Sequence, residues 1–418
     1  MPDTGNHTLL TAPDIDPMRS VIIAGASLAG VRTADALRAG GFEGAISLVG
    51  AERDLPYDRP PLSKQFLAGQ FDEERLLLRS AESYENDRID LHLGVRATKV
   101  DVDGRRIKID LDNDETIEAE ALVIATGTKP RPLTFPVEHP NVFSLRTRQD
   151  CEQIRALLLA GTRIVVIGAG FIGAEVASTA RNLGCSVTVL ETAPVPLARQ
   201  LGTEMGLACA ELHLKNEVDL QLGVDVDRIE RDRVHLCDGR TFAADVVVTG
   251  VGVQPCTEWL SGDSFDIADG VCSDATLRVR RAGSPDVFEN VVAVGDIVRF
   301  PNELFDEVMR VEHWTNAVES ASHAAATLLG AREPFTPVPY FWSDQFGKKI
   351  QFLGRSTGFE EVRVVEGSLA EGAWLALYRR NDRLIGALAV SKIRSLMKLR
   401  PLLSQRASWA EGLEAVTS

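Results

Sequence analysis

The sequence lacks closely spaced cysteines. Its six cysteines (Cys151, Cys185, Cys209, Cys237, Cys256 and Cys272) lie at least 16 residues apart, so no CxxC pair and no pair of metal ligands at the usual spacing exists. We therefore interpret the cysteines as buried, small apolar residues, and we expect no metal site.

Long apolar runs are also missing. No segment reaches the length that a membrane-spanning helix needs. The first residues, MPDTGNHTLLTAPDIDPM, carry acids and prolines where a secretory signal would have basic and then apolar residues. We predict a cytoplasmic protein with a disordered leader at 1–18.

Positive charge is scarce, since the formal net charge is −15. A protein that binds nucleic acid needs a basic face, so this balance argues against nucleic acid as a partner. One segment differs: between Gly372 and Arg406 the chain has eight basic residues and a single acid, Asp382. A basic segment on an acidic body predicts an acidic partner.

A strand, a glycine turn and a helix are predicted by SVIIAGASLAGVRTADALRAGG, and AISLVG follows as the next strand. Such a unit binds the pyrophosphate of a dinucleotide at the helix N-terminus and a ribose hydroxyl at an acid about 20 residues later. Gly25, Ala29 and Gly30 belong to the turn, and Glu52 is the candidate acid. Ser27 stands where the second glycine is expected, which weakens the motif.

The same pattern returns in RIVVIGAGFIGAEVASTARNLGCSVTVLET, here with Gly168, Gly170 and Gly173 in a complete GxGxxG and with Glu191 after the second strand. One such motif is weak evidence. Two of them, each between an apolar strand and a helix, predict two bound dinucleotides. Glu191 favours NADH over NADPH because it would repel a 2′-phosphate.

Three further strand ends fit a flavin site. EALVIATGTKPRP ends at Thr126 and Gly127, VVAVGDIVRF ends at Gly295 and Asp296, and ADVVVTGVGVQP reads as a last strand of the second nucleotide domain. Ligands of α/β sheets bind at the carboxyl ends of strands.

The proline loop at 55–64, LPYDRPPLSK, contains three prolines and ends at Lys64. Prolines fix φ and prevent a regular helix or central strand, so this segment is predicted to be a stiff loop. Taken alone, it favours a surface turn that ends on a surface lysine.

After Gly330 the pattern changes. REPFTPVPYFWSDQFGKKIQFLGR alternates like a strand, and LALYRRNDRLIGALAV predicts a hairpin with Asn381 and Asp382 at its turn. In SKIRSLMKLR we place Ile393, Leu396 and Met397 on one helical face. We expect Pro401 to start a second short helix.

Together these segments resemble the FAD-dependent ferredoxin reductases of bacterial oxygenase systems. The resemblance covers roughly residues 20 to 400 and includes LPYDRPPLSK, ATG, GAGFIGAE, AVGD, VEHWTNA at 311–317 and PYFWSDQFG at 339–347. It implies an α/β protein with two Rossmann-like dinucleotide-binding domains and a C-terminal α+β domain. The predicted bounds are 19–139 and 265–331 for an FAD domain, 140–264 for an NAD domain that interrupts it, and 332–418 for the C-terminal domain.

The resemblance also implies the site residues. The FAD positions are Gly25, Ser27, Ala29, Gly30, Glu52, Lys64, Ala97, Thr126, Gly127, Arg146, Gly295, Asp296 and Trp314. The NAD positions are Gly168, Gly170, Ile172, Gly173, Glu175, Glu191 and Gly252. Lys64, paired with Glu175, is expected beside flavin N5, Asp296 at the ribityl chain and Trp314 against the isoalloxazine.

The missing cysteines then indicate the reaction. A disulfide reductase of this kind would carry two cysteines near the flavin or in the NAD domain, and a peroxidase would carry one. The resemblance therefore implies hydride transfer from NADH to FAD, followed by single-electron transfers to an iron–sulfur ferredoxin that serves a cytochrome P450 or a Rieske oxygenase. We expect an acidic ferredoxin to dock near Arg379, Arg380, Lys392, Arg394 and Lys398.

Two alternatives stay open. An NADH oxidase would pass the electrons to oxygen and would need no carrier. An NADH-sensing interaction protein similar to apoptosis-inducing factor would change its assembly on binding NADH, and catalysis would be incidental.

Overall fold

The computed structural model describes residues 18–417. The predicted leader at 1–18 therefore lies outside the described residues, except for Met18, which packs against the core of the first sheet. None of the helices within 18–417 combines the length and the apolar character that crossing a bilayer requires.

The first domain is built on a six-stranded sheet whose strands are parallel except for the one at its edge. In spatial order its strands are Arg278–Arg280, Val287–Ala293, Ala121–Ile124, Ser20–Ala24, Ala45–Gly50 and Ile89–Leu93. The central strands are continuous apolar runs because helices Leu28–Ala39 and Trp314–Leu328 pack together over the sheet.

The second domain is built on a five-stranded parallel sheet. Its strands, in spatial order, are Asp219–Leu222, Ser186–Glu191, Arg163–Ile167, Val246–Thr249 and Val142–Ser144, and its helices are Arg148–Leu157, Phe171–Asn182 and Ala198–Lys215. The two Rossmann-like sheets that the paired motifs predict are confirmed.

Smaller elements complete these two domains. Three-stranded antiparallel sheets are formed by Ala97–Asp103, Arg106–Leu111 and Thr116–Ala119 and by Val226–Glu230, Arg233–Leu236 and Thr241–Ala243. A mixed sheet contains Val271–Cys272, Val298–Asn302 and Glu307–Arg310, and a two-stranded ribbon pairs Thr128–Pro130 with Val253–Pro255. Short helices lie at Pro60–Ser63, Glu74–Leu76, Ala81–Asn86 and Gly295–Ile297.

The C-terminal domain is a five-stranded antiparallel sheet followed by two helices. Its strands, in spatial order, are Tyr340–Gln345, Lys348–Gly354, Arg383–Val390, Ala373–Arg380 and Glu361–Ser368, and its helices are Ile393–Ser404 and Trp409–Thr417. The predicted hairpin turn is confirmed, since Asn381 and Asp382 both have positive φ as a tight two-residue turn requires.

The prediction for the end of the chain is wrong in two respects. Pro401 does not start a helix but lies inside Ile393–Ser404, and the second helix begins at Trp409. The buried face of the first helix is Leu396, Leu399 and Leu403, whereas Ile393 is 41% exposed. Packing of that face against the sheet keeps the helix continuous across the proline, which local propensity alone does not predict.

The cysteines are only partly as expected. Cys151, Cys185 and Cys209 are buried, but Cys256 and Cys272 are half-buried and Cys237 is exposed, and all six are free thiols. The exposed one, Cys237, lies in the turn that follows the central strand of a three-stranded sheet, where no other segment covers it.

Candidate functional site

One large cavity, of about 1060 Å³, extends along the carboxyl ends of the first sheet. Its walls include the first glycine turn (25–30), the proline loop, the start of helix Phe171–Asn182 and the strand Tyr340–Gln345. All three domains therefore contribute to it.

The first glycine turn has a shape that requires glycine. Gly25 has φ +124°, and a Cβ atom there would lie 2.2 Å from the carbonyl oxygen of Ala125. A Cβ atom at Gly30 would lie 2.0 Å from the carbonyl oxygen of Gly25. The turn therefore brings bare backbone and a helix N-terminus to the cavity, which is the arrangement that binds the pyrophosphate of a dinucleotide.

Ser27 is the N-cap residue, directly before the first helix, but its side chain does not cap the helix. Instead, Nε of Arg59 donates to Ser27 Oγ at 3.3 Å. The same guanidinium donates to Glu52 Oε1 at 2.7 Å, and the Tyr57 hydroxyl donates to Glu52 Oε2 at 2.5 Å. Burial tends to raise the pKa of Glu52, but Arg59 and Tyr57 hold it below its usual value.

Sequence reasoning missed Arg59 and Tyr57 as parts of the site. Both lie in the proline loop, between the strand that ends at Gly50 and Lys64. A cation two residues after an aromatic in a stiff loop was the available signal, although nothing local shows which side chains it will meet.

The predicted pair of Lys64 and Glu175 is present. Lys64 Nζ donates to Glu175 Oε2 at 2.5 Å, and the two side chains are only 12% and 6% exposed. Lys64 also donates to the carbonyl oxygen of Pro60 at 2.9 Å, so the rigid loop fixes the direction of its ammonium group. The pair joins the first and second domains at the cavity wall.

The second oxygen of Glu175 is bound by the C-terminal domain. Ser343 Oγ donates to Glu175 Oε1 at 2.7 Å, and the backbone N–H of Asp344 reaches the same oxygen at 3.3 Å. Ser343 was not among the predicted site residues. It lies in the PYFWSDQFG segment, but its side chain is one of several polar groups there.

Trp314 begins helix Trp314–Leu328 and lines the cavity. Its indole N–H donates to Asp58 Oδ1 at 2.8 Å, and its ring meets Trp342 edge-on with centroids 5.9 Å apart. Burial raises the pKa of Asp58, and the Trp314 hydrogen bond opposes that effect. Trp314 thus forms a fixed aromatic wall of the cavity.

Arg146 and Asp296 both line the cavity and form an ion pair there. Nη2 of Arg146 lies 3.8 Å from Asp296 Oδ2, and Thr128 Oγ1 donates to the same oxygen at 3.3 Å. Burial lowers the pKa of Arg146 and the nearby charge of Arg59 lowers it further, so two guanidinium groups are concentrated beside the glycine turn. Such a pair suits an anionic diphosphate.

The cavity gathers most of the predicted FAD positions. The lining residues among them are Gly25, Ser27, Ala29, Glu52, Lys64, Ala97, Thr126, Gly127, Arg146, Asp296 and Trp314. Gly30 and Gly295 lie behind the wall, where a Cβ atom on Gly295 would be 3.0 Å from Ala29 Cβ. These two glycines allow close packing, and the residues in front of them fit FAD.

The second glycine turn (168–173) has the same backbone conformation as the first. Gly168 has φ +104°, and a Cβ atom there would lie 2.5 Å from the carbonyl oxygen of Gly250. A Cβ atom on Gly173 would lie 2.1 Å from the carbonyl oxygen of Gly168. Gly170 has open space around it. Of the predicted NAD positions only Ile172 and Glu175 line the large cavity, so the three glycines of the turn lie outside it.

Glu191 ends its strand beside the second glycine turn. Its Oε2 accepts the N–H of Ala169 at 2.6 Å, and its Oε1 accepts the N–H of Ala193 at 2.8 Å. Gly252, with φ +96°, lies on the neighbouring loop against Arg131. The carboxylate is held where a ribose would meet the turn, which fits NAD.

Ion pairs neutralise much of the basic segment. Arg379 pairs with Glu360 and Glu361, Arg380 with Glu307, and Lys392 with Glu366. These three basic side chains are therefore not free charges on the surface, because acids from other segments of the chain pair with them. Arg394 and Lys398 are exposed on helix Ile393–Ser404.

Two family models match the chain. Residues 19–321 match the pyridine nucleotide-disulphide oxidoreductase family, and residues 340–414 match the reductase C-terminal family. The chain belongs to the pyridine nucleotide-disulphide oxidoreductase family. The two matches cover the two Rossmann-like domains and the C-terminal domain, respectively.

Within this family, the chain is similar to reductases of oxygenase systems. It is 36% identical to rhodocoxin reductase of Rhodococcus erythropolis, over 92% of this chain and 89% of the relative. It is 35% identical to the ferredoxin–NAD(+) reductase component of the anthranilate 1,2-dioxygenase system of Burkholderia cepacia, over 92% and 93%. The covalent putidaredoxin reductase–putidaredoxin complex matches with a TM-score of 0.87 and 32% identity, over 96% and 99%. The resemblance to ferredoxin reductases is confirmed.

Proposed function

We propose that the protein is an NADH-dependent ferredoxin reductase that supplies electrons to an oxygenase. The observation that carries this proposal is the buried Lys64–Glu175 pair at the wall of a dinucleotide cavity. Cys256 is the one cysteine among the residues described as lining that cavity, and burial raises the pKa of its thiol. The proline loop carries the charge of Lys64 where a disulfide enzyme would keep its two cysteines.

FAD would be held by the first glycine turn, Arg59, Arg146 and Asp296, and NADH by the second glycine turn and Glu191. Bound FAD supplies the acceptor for a hydride from NADH and can release the two electrons one at a time. The enzyme itself contributes binding, orientation and charge.

Lys64 is the residue that supplies charge. Taking an ammonium group out of water is unfavourable when it has no partner, and Glu175 provides that partner at 2.5 Å. A fixed cation beside a cofactor that gains negative charge stabilises the charged form and costs no reorganisation during the reaction. The rigid proline loop keeps that cation in place.

For the ferredoxin we propose an acidic protein that docks near the basic segment of the C-terminal domain. The predicted docking residues are Arg379, Arg380, Lys392, Arg394 and Lys398. The ion pairs above make the exposed Arg394 and Lys398 the main contributors, since the other three already interact with acids of the same chain.

NADH oxidation tests the function when it is followed with and without a panel of acidic [2Fe–2S] ferredoxins that includes putidaredoxin. We expect slow oxidation alone and fast oxidation with at least one carrier. Equally fast oxidation in air without a carrier would mean an oxidase. A long-lived complex with NADH, no carrier reduction and a change in oligomer size would mean a sensor.

Salt tests the docking surface. Raising ionic strength should slow ferredoxin reduction but leave NADH-driven ferricyanide reduction nearly unchanged, because screening acts on the charged encounter. The double variant Arg394→Gln/Lys398→Gln should reduce this salt dependence, and Lys99→Gln, on the exposed small sheet of the first domain, should not. Equal salt sensitivity of both acceptors would exclude steering.

A further inference from the structure

One strand of the C-terminal domain contacts the cavity and the Lys64–Glu175 pair at successive residues. In Tyr340–Gln345, Trp342 lines the cavity and meets Trp314, whereas Ser343 points to the opposite face and donates to Glu175. Side chains alternate along a strand, so one short segment covers the cavity and binds the carboxylate together.

Glu175 is bound by donors from two other domains. On Oε2 it receives Lys64 Nζ and Ser63 Oγ, each at 2.5 Å, from the first domain. On Oε1 it receives Ser343 Oγ at 2.7 Å and the N–H of Asp344 at 3.3 Å, both from the C-terminal domain. The carboxylate is therefore fixed by one oxygen to the site and by the other to the C-terminal domain.

The hydroxyl of Ser343 has a defined direction. Ser343 is fully buried, and Gln345 Nε2 donates to its Oγ at 3.1 Å. A serine hydroxyl has a single proton, and because Gln345 fills an acceptor position, that proton is free to go to Glu175. The contact is thus a directed hydrogen bond to a charged group, which is the stronger kind.

We propose that Ser343 is a positioning residue for the reduction of the flavin, acting on Lys64 through Glu175. Without its hydroxyl, Glu175 Oε1 would keep only the longer backbone contact, so the carboxylate could turn and Lys64 would lose its fixed partner. The C-terminal domain then contributes to hydride transfer in addition to docking the carrier. This inference rests on the proposed function.

Ser178 offers a matched control. It lies three residues after Glu175 on the same helix, is buried, and accepts the N–H of Phe346 at 2.7 Å across the same interface between domains. Ser178→Ala therefore removes a comparable interdomain hydrogen bond without touching Glu175.

The test compares Ser343→Ala, Ser343→Thr and Ser178→Ala as FAD-loaded proteins in stopped flow. We expect the limiting rate of flavin reduction at saturating NADH to fall about tenfold in Ser343→Ala, as for loss of a hydrogen bond to a charged group. The Kd for NADH should not change, because the second glycine turn is untouched. Ser343→Thr should keep most of the rate, and Ser178→Ala all of it.

The flavin midpoint potential, measured by dithionite titration without NADH, gives a second readout. A less fixed Lys64 stabilises the reduced cofactor less, so the potential of Ser343→Ala should lie below that of Ser178→Ala. Ser343→Cys, which fills the same space with a weaker donor, provides the same comparison for an unstable alanine variant.

Equal rates and potentials in Ser343→Ala and Ser178→Ala would overturn the inference, whether both are normal or both are reduced. A wild-type protein that NADH does not reduce would instead contradict the proposed function. In that case the difference in potential between the two variants still decides the role of Ser343.

Discussion

The two glycine turns have nearly the same backbone but different surroundings. In both, the first glycine has positive φ and lies against a neighbouring carbonyl oxygen, and the last glycine packs on the first. Around the first turn, the proline loop brings Arg59 to Ser27 and encloses a cavity. Around the second, Gly170 has open space where a side chain would be, and the three glycines of the turn lie outside that cavity.

This difference predicts that the cofactor of the first domain stays bound and that the cofactor of the second domain exchanges. A dinucleotide enclosed by a stiff loop and two half-buried guanidinium groups has many contacts to lose before it can leave. One bound at an open turn can dissociate after each reaction. We infer that the same motif serves FAD in the first domain and NADH in the second because of what the rest of the chain places over it.

The largest difference is expected between alanine variants of the two turns. Gly25→Ala combines positive φ with a Cβ atom 2.2 Å from a carbonyl oxygen, so we expect a cost of roughly 3 kcal/mol or more and loss of bound FAD. Gly170→Ala meets open space and should fold with full FAD content. Absorbance at the flavin band after purification measures this, and equal FAD content in both variants would contradict the comparison.

A smaller effect is expected at the Lys64–Glu175 pair, which joins the first and second domains. Lys64→Ala should keep FAD, because the glycine turn and Arg59 are intact, but should slow flavin reduction by NADH about 100-fold. Stopped-flow absorbance measures the rate, with Lys99→Ala, which removes an exposed lysine that pairs with Asp101, as the control. A rate equal to that of the control would remove Lys64 from the mechanism.

The smallest effect is expected at the open turn. Glu191→Gln keeps an oxygen that can accept the N–H of Ala169, so the fold should be preserved, but it removes the charge that repels a 2′-phosphate. The preference for NADH over NADPH in kcat/KM should fall about tenfold, or about 1.4 kcal/mol. Glu211→Gln, on an exposed helical face, is the control. An unchanged ratio would show that Glu191 does not choose the cofactor.

Local sequence patterns were enough to predict much of the fold. The two strand–turn–helix units, the strand ends at Thr126 and Asp296, and the hairpin at Asn381 were predictable because glycine turns and apolar strands have short-range signatures. The Lys64–Glu175 pair, 111 residues apart in sequence, came from resemblance, since no spacing rule connects them.

The error at the end of the chain arose where tertiary packing outweighs local preference. Pro401 remains inside a helix because Leu396, Leu399 and Leu403 are buried against the sheet. The basic segment appeared as an excess of charge because its acidic partners, among them Glu307 and Glu366, lie in other parts of the chain. Charge counted along a sequence does not show which charges fold together.

By itself, the sequence determined the two dinucleotide folds, the stiff loop that ends at Lys64 and the absence of a cysteine pair, because each depends on residues close together in the chain. Only the tertiary structure decided which turn is enclosed, that Arg59 binds Glu52, and that Ser343 reaches Glu175. The Ser343–Glu175 contact joins separate domains, and the Arg59–Glu52 contact depends on how the proline loop folds back. Their geometry is set by how buried surfaces pack and by the need to pair buried polar groups.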